Sequence, residues 1–234
     1  MEYSALQLFG LLVRLCFELT LPIIAVVYIY KKYRCGIYPA IIGFAALNLI
    51  VLPRALLNNI FLSDGSFWVG QIVTTALIGA ACEETGRFIA MKFTMPNHDT
   101  AADAMCYGAG HSLMETLPMT FNYTLSFIAT GITLLSGASA ENADIVMSMG
   151  FIDIASPIVD VAQALALHLS CSVLVCMSVH YSQCRRFLPI AIAVHAGANI
   201  LKYFFGTWAG IILVTILCIK TYKTVKNSNM PLCH

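Results

Sequence analysis

Residues 76–93 read ALIGAACEETGRFIAMKF. Two adjacent carboxylates and an arginine, Glu83, Glu84 and Arg87, stand in the middle of an otherwise apolar run. In water such a trio is ordinary. In lipid, an ionised side chain at mid-depth costs on the order of several kcal/mol. Whether the surroundings are water or lipid therefore decides the fold, and the rest of the chain answers the question.

Of 234 residues, 59% are hydrophobic and 11% charged, and the mean hydropathy is +0.80. A soluble domain carries about 25% charge. Length and apolar continuity predict about seven spans, near 4–30, 37–61, 67–92, 102–135, 154–181, 187–205 and 207–222. Short polar breaks separate them: KKYRCG, LSDGS, MPNHDTAAD, SGASAENAD, SQCRR and FGTW. The fourth segment is too long for one simple crossing, and Pro118 is expected to kink it or to end the span. No period-two alternation suggests a barrel. The fold class is all-α, a polytopic transmembrane bundle forming a single domain over 1–234, with the lipid bilayer as its solvent.

Lys31, Lys32, Arg34, Lys92, Arg185, Arg186, Lys220, Lys223 and Lys226 all fall at alternate span ends, on one side. The positive-inside rule makes those ends cytoplasmic, with the N-terminus outside and the C-terminus inside. The start, MEYSALQLFG, lacks a basic leader and reads as a retained first span. With net charge +1 and no basic stripe, nucleic acid is excluded as a partner. The nine cysteines are scattered and form no C-x-x-C pair, so they read as small apolar residues.

Five places interrupt the oil. Arg14 and Glu18 are four apart and can pair on one helix face. Then come Glu83, Glu84 and Arg87; His111 and Glu115, four apart in GAGHSLMET; His168 in ALALHLSCS; and His195 and Asn199, four apart in HAGAN. At about 1.5 Å per residue, Glu84 lies roughly 12 Å in from Lys92 and His195 roughly 13 Å in from Arg186. His111 lies at a similar depth, with His168 and Asn199 nearer the midplane. Unrelated structural polar residues have no reason to share a layer, whereas the residues of one site do. The layer is expected to line a cavity open toward the cytoplasmic, basic ends.

Arg87 neutralises one carboxylate, so the second needs another partner or a proton. Arg87 therefore reads as structural support for the pair. A carboxylate and a histidine can activate a water, and a histidine with an asparagine can donate to an oxyanion. No G-x-S-x-G elbow or H-E-x-x-H is present. His111, Glu115, His168 and His195 can nonetheless hold one Zn²⁺.

EETGR, GAGHSLMET, the lone His168 and HAGAN, in that order over about 67–205, resemble the motif series of the YhfC-type intramembrane proteases. These are relatives of the CAAX prenyl endopeptidase and bacteriocin-processing superfamily, with PrsW-type proteases further off. The resemblance implies a water-activating role for Glu83 or Glu84, with His111 or His168. It implies an oxyanion role for His195 with Asn199. It also favours Glu83 as the base and Glu84 as its helper. Two features depart from the pattern: only Thr85 and Gly86 separate the pair from Arg87, and Ser112 and Leu113 follow His111 where glycines are expected.

The expected function is an intramembrane peptidase, glutamate-type or zinc-dependent, cutting a membrane-associated peptide in the plasma membrane of a prokaryote. The rivals are a transporter or channel using the same carboxylates and histidines, and a membrane binding module without catalysis. The absence of internal repeats weighs against the transporter.

Overall fold

The computed structural model describes residues 5–62, 68–135, 151–228 and 230–232, with side chains described except at 5–11, 119, 122–135 and 151–155. The SGASAENAD break and residues 63–66 of LSDGS lie outside the described residues. Seven α-helices and no strand occur among the described residues: α1 (Ala5–Tyr33), α2 (Tyr38–Phe61), α3 (Trp68–Thr94), α4 (Ala101–Leu135), α5 (Phe151–His180), α6 (Phe187–Phe205) and α7 (Thr207–Lys226). Five stretches, in α1, α2, α5, α6 and α7, are long and apolar enough to cross a membrane by length and composition. The carboxylates of the quoted stretch lie on α3, and His111 and Glu115 lie on α4.

Local chemistry sets the helix boundaries. Pro39 stands in the first turn of α2, where its missing N–H costs nothing. Thr100 caps α4: its Oγ1 accepts from the Asp103 backbone N–H at 3.0 Å and donates to the Asp103 carboxylate at 2.8 Å. The next free donors of that first turn, Ala101 and Ala102 N–H, are taken by the carbonyls of Pro231 and Leu232 at 2.9 and 3.0 Å. The end of the described chain is thus strapped to the start of α4. Pro118 does not end α4, which runs on through it to Leu135. Gly206, at φ 79°, makes the reversal between α6 and α7.

Helix association in lipid depends on close packing and polar contacts rather than on escape from water. α4 packs against α1, α2 and α5, and α3 against α2, α5 and α6. Two glycines of GAGH permit this approach. A Cβ on Gly108 would lie 2.6 Å from the carbonyl oxygen of His168, and one on Gly110 would fall on the backbone of Ala40 in α2. At the basic ends of α3, α4 and α5, the bundle is sealed by Met91, Met95, Tyr107 and Met177, none of them more than 1% exposed.

Cation placement follows one rule. Nine of the 13 Lys and Arg residues sit at the basic ends. Each of the others, Arg14, Arg54, Arg87 and Lys202, pairs with a carboxylate: Glu18, Glu83, Glu84 and Asp160, at 2.8 to 3.0 Å. Pairing is what makes a charge tolerable at such depth.

Candidate metal centre

Glu83 and Glu84 are neighbours on α3 and point different ways, because successive helical residues turn by about 100°. Glu84 is fully buried and accepts from Arg87 Nη1 through both carboxylate oxygens, at 3.1 and 2.8 Å. Its Oε1 also lies 2.7 Å from His195 Nδ1 on α6. Arg87 turns its second terminal nitrogen, Nη2, to His168 Nδ1 on α5 at 3.0 Å. A guanidinium only donates, so His168 Nδ1 accepts and the ring proton sits on Nε2. That N–H faces Glu115 Oε2 of α4 at 2.7 Å.

Glu83 has a different set of partners. Its Oε1 accepts from Arg54 Nη1 of α2 at 3.0 Å. Its Oε2 lies 3.4 Å from His111 Nε2 and 3.7 Å from His195 Nε2. The three imidazoles form a row, His111 to His168 at 4.7 Å and His168 to His195 at 5.3 Å between ring centres. His111 is fully buried, yet its Nδ1 has no hydrogen-bond partner among the described residues. Groups from five helices, α2 to α6, thus meet in one layer.

Among the described residues, Glu83, His168 and His195 each present a ligand atom within 4.8 Å of the others, all three buried. One carboxylate and two imidazoles suit zinc with an open position. His195 fits directly: its Nδ1–H is held by Glu84, the usual support for a metal-ligating histidine, and Nε2 faces the layer. His168 fits once its Nε2 proton is released to solvent through the cleft, as metal binding to a histidine requires, which leaves Glu115 beside it as a carboxylate. The donor set is therefore compatible with a zinc ion. It differs from the set read off the sequence, because Glu83 projects between the histidines while His111 and Glu115 flank them. A shared face of α4 brings those two to the layer but does not decide which atoms converge.

The route to this layer differs from the sequence expectation. A cleft of 480 Å³ reaches it, lined by Arg54, Trp68, Gln71, Ile72, Thr75, Ala76, Gly79, Glu115, Asn199 and Tyr203. Apart from Glu115 of α4, these residues occupy the first half of α3 and the second halves of α2 and α6, away from the basic ends. On the side where the sequence predicts a cavity, the described residues instead place the buried Met91, Met95, Tyr107 and Met177. Asn199 is exposed in the cleft and makes no hydrogen bond to the cluster. Arg54 is a site residue that the sequence reading missed. Its one signal was an arginine inside the apolar run LIVLPRALL.

Over residues 17–218 the chain matches the family described as YhfC intramembrane metalloprotease. It belongs to that family. A Bacillus subtilis (strain 168) protein described as the uncharacterized membrane protein YhfC is 28% identical over 129 residues, 50% of this chain and 48% of its own length. The match thus spans about half of that curated relative. No solved structure matches the chain. Family, relative and apolar helices together identify an integral membrane protein.

Proposed function

We propose that the chain is a metal-dependent intramembrane peptidase of a prokaryotic plasma membrane, hydrolysing a membrane-associated peptide. The observation that carries this reading is the convergence of Glu83, His168 and His195 within 4.8 Å in a buried layer reached by a polar cleft. The family description supports it.

In this reading Glu83, His168 and His195 hold zinc, which when bound supplies Lewis-acid polarisation of the scissile carbonyl. Glu84 orients His195, and Arg87 fixes both Glu84 and His168. Glu115 borders the cleft and acts as general base, taking the proton of the attacking water and returning it to the leaving amine. Asn199 and Arg54, two of the hydrogen-bond donors lining the cleft, stabilise the oxyanion. His195 is then a ligand rather than an oxyanion donor, because both of its nitrogens are committed. The seven crossings, with basic ends in the cytoplasm, complete the reading.

The test is cleavage of a membrane-presented peptide library by protein in liposomes. Glu83→Gln is expected to abolish cleavage while the protein still folds, and chelation is expected to remove activity that zinc restores. Activity that survives exhaustive chelation but is lost in Glu83→Gln would instead make Glu83, with His111 beside it at 3.4 Å, the base of a metal-free mechanism. Cation or proton flux without cleavage would favour a transporter.

A further inference from the structure

The cleft differs in chemistry from the other large groove of the molecule. The groove between α2 and α3 is lined almost wholly by apolar side chains such as Ile42, Leu49, Pro53 and Phe93, as expected of a surface facing lipid tails. The cleft instead carries Arg54, Gln71, Thr75, Glu115 and Asn199. Polar side chains at membrane depth face protein or water. On α3, Gln71, Thr75 and Gly79 follow at four-residue intervals and make one continuous face leading inward. At its inner end the Arg54 guanidinium lies against Gly79, where a Cβ would come within 3.3 Å of Cζ. Glycine there leaves the guanidinium uncovered. Arg54 spends Nη1 on Glu83, and its remaining N–H donors have no other partner among the described residues.

We infer that the substrate segment reaches the site from the face opposite the basic helix ends, lying extended along the Gln71–Thr75–Gly79 face with a backbone carbonyl on Arg54. This rests on the peptidase reading for what happens at the inner end, but the side of approach is independent of it. From Trp68 to Gly79 the helix rises about 17 Å, the length of about five extended residues. An extended segment suits this surface because its backbone carbonyls are free to accept, whereas a helix has spent them internally. The basic ends offer no such route, being filled by Met91, Met95 and Met177. With those ends in the cytoplasm, the substrate class is a protein segment exposed outside the cytoplasm, next to or just inside the membrane surface.

The test uses the full chain with its native cysteines in place, carrying Thr75→Cys or Gln71→Cys, and a charged, membrane-impermeant methanethiosulfonate reagent. Arg185→Cys, at an exposed basic end, marks the other side. The modified residue is located by mass spectrometry of peptides, first in intact cells and then in inverted vesicles. Thr75→Cys and Gln71→Cys are expected to label only from the side opposite Arg185→Cys. Labelling from the Arg185 side, from both sides or from neither would overturn the inferred approach. With zinc-loaded protein, a tripeptide hydroxamate is expected to slow labelling at Thr75→Cys about tenfold when present at roughly ten times its dissociation constant, by mass action. Acetohydroxamic acid, which cannot extend along α3, is expected to leave the rate unchanged. Equal rates with and without the tripeptide compound would overturn the extended-peptide occupant. Expected sidedness and protection together with no cleavage of any peptide would remove the peptidase reading and leave the cleft assignment standing.

Discussion

Arg87 ties the two halves of the centre together, giving Nη1 to Glu84 and Nη2 to His168. It is fully buried, so removing it leaves a carboxylate without its counter-charge and a histidine free to change tautomer. Breaking a buried pair of this kind costs about 3–5 kcal/mol. Arg87→Ala is therefore expected to lower the thermal unfolding temperature in detergent sharply. An unchanged melting curve with lost activity would make Arg87 a direct participant in the chemistry instead. The sequence made Arg87, the two glutamates and the three histidines visible, because each interrupts an apolar run and their depth counts fall in or near one layer. It did not make Arg54 visible as a site residue. The partner of Arg54 is Glu83, 29 residues away, and no charge three or four residues along its own helix hints at a pair. The proposed ligand set is likewise hidden in the sequence, since helical spacing tells which residues share a face and not which atoms from separate helices converge.

At the scale of elements, α4 carries His111 and Glu115 to the layer while lying close against both α2 and α5. The glycines of GAGH gave no such signal in the sequence, because which neighbour each one faces depends on tertiary structure alone. Gly108 faces the backbone of His168 itself, so a methyl group there would sit 2.6 Å from that carbonyl oxygen. Backbone cannot yield as a flexible side chain does, and α5 must shift. Gly108→Ala is expected to destabilise the protein by about 1–3 kcal/mol, the usual range for overpacking, and to displace His168 from its partners. Gly70→Ala, with nothing within 4 Å of its added carbon, is the matched control and is expected to stay within about 0.5 kcal/mol of wild type. Paired thermal melts in one detergent read both. Equal losses in the two variants would mean that the α4–α5 approach is looser than described.

For the molecule as a whole, composition and run length made an all-helical membrane protein legible, and the cation pattern made its basic face legible. The direction of the cleft was not. A depth count locates a layer between two surfaces but is blind to which surface it communicates with. That depends on what fills the space at each end: methionines and Tyr107 at the basic end, and Gln71, Thr75 and Asn199 away from it. The central claim is that this layer is a metal centre built from Glu83, His168 and His195, and the zinc content of purified protein tests it most directly. Wild-type protein loaded with zinc and freed of excess by dialysis is expected to retain about one ion per chain. Glu83→Gln, eluting as the same folded species, is expected to retain far less. Wild-type protein that keeps no metal while cleaving peptide in chelator, or Glu83→Gln that keeps a full complement of zinc, would contradict the account.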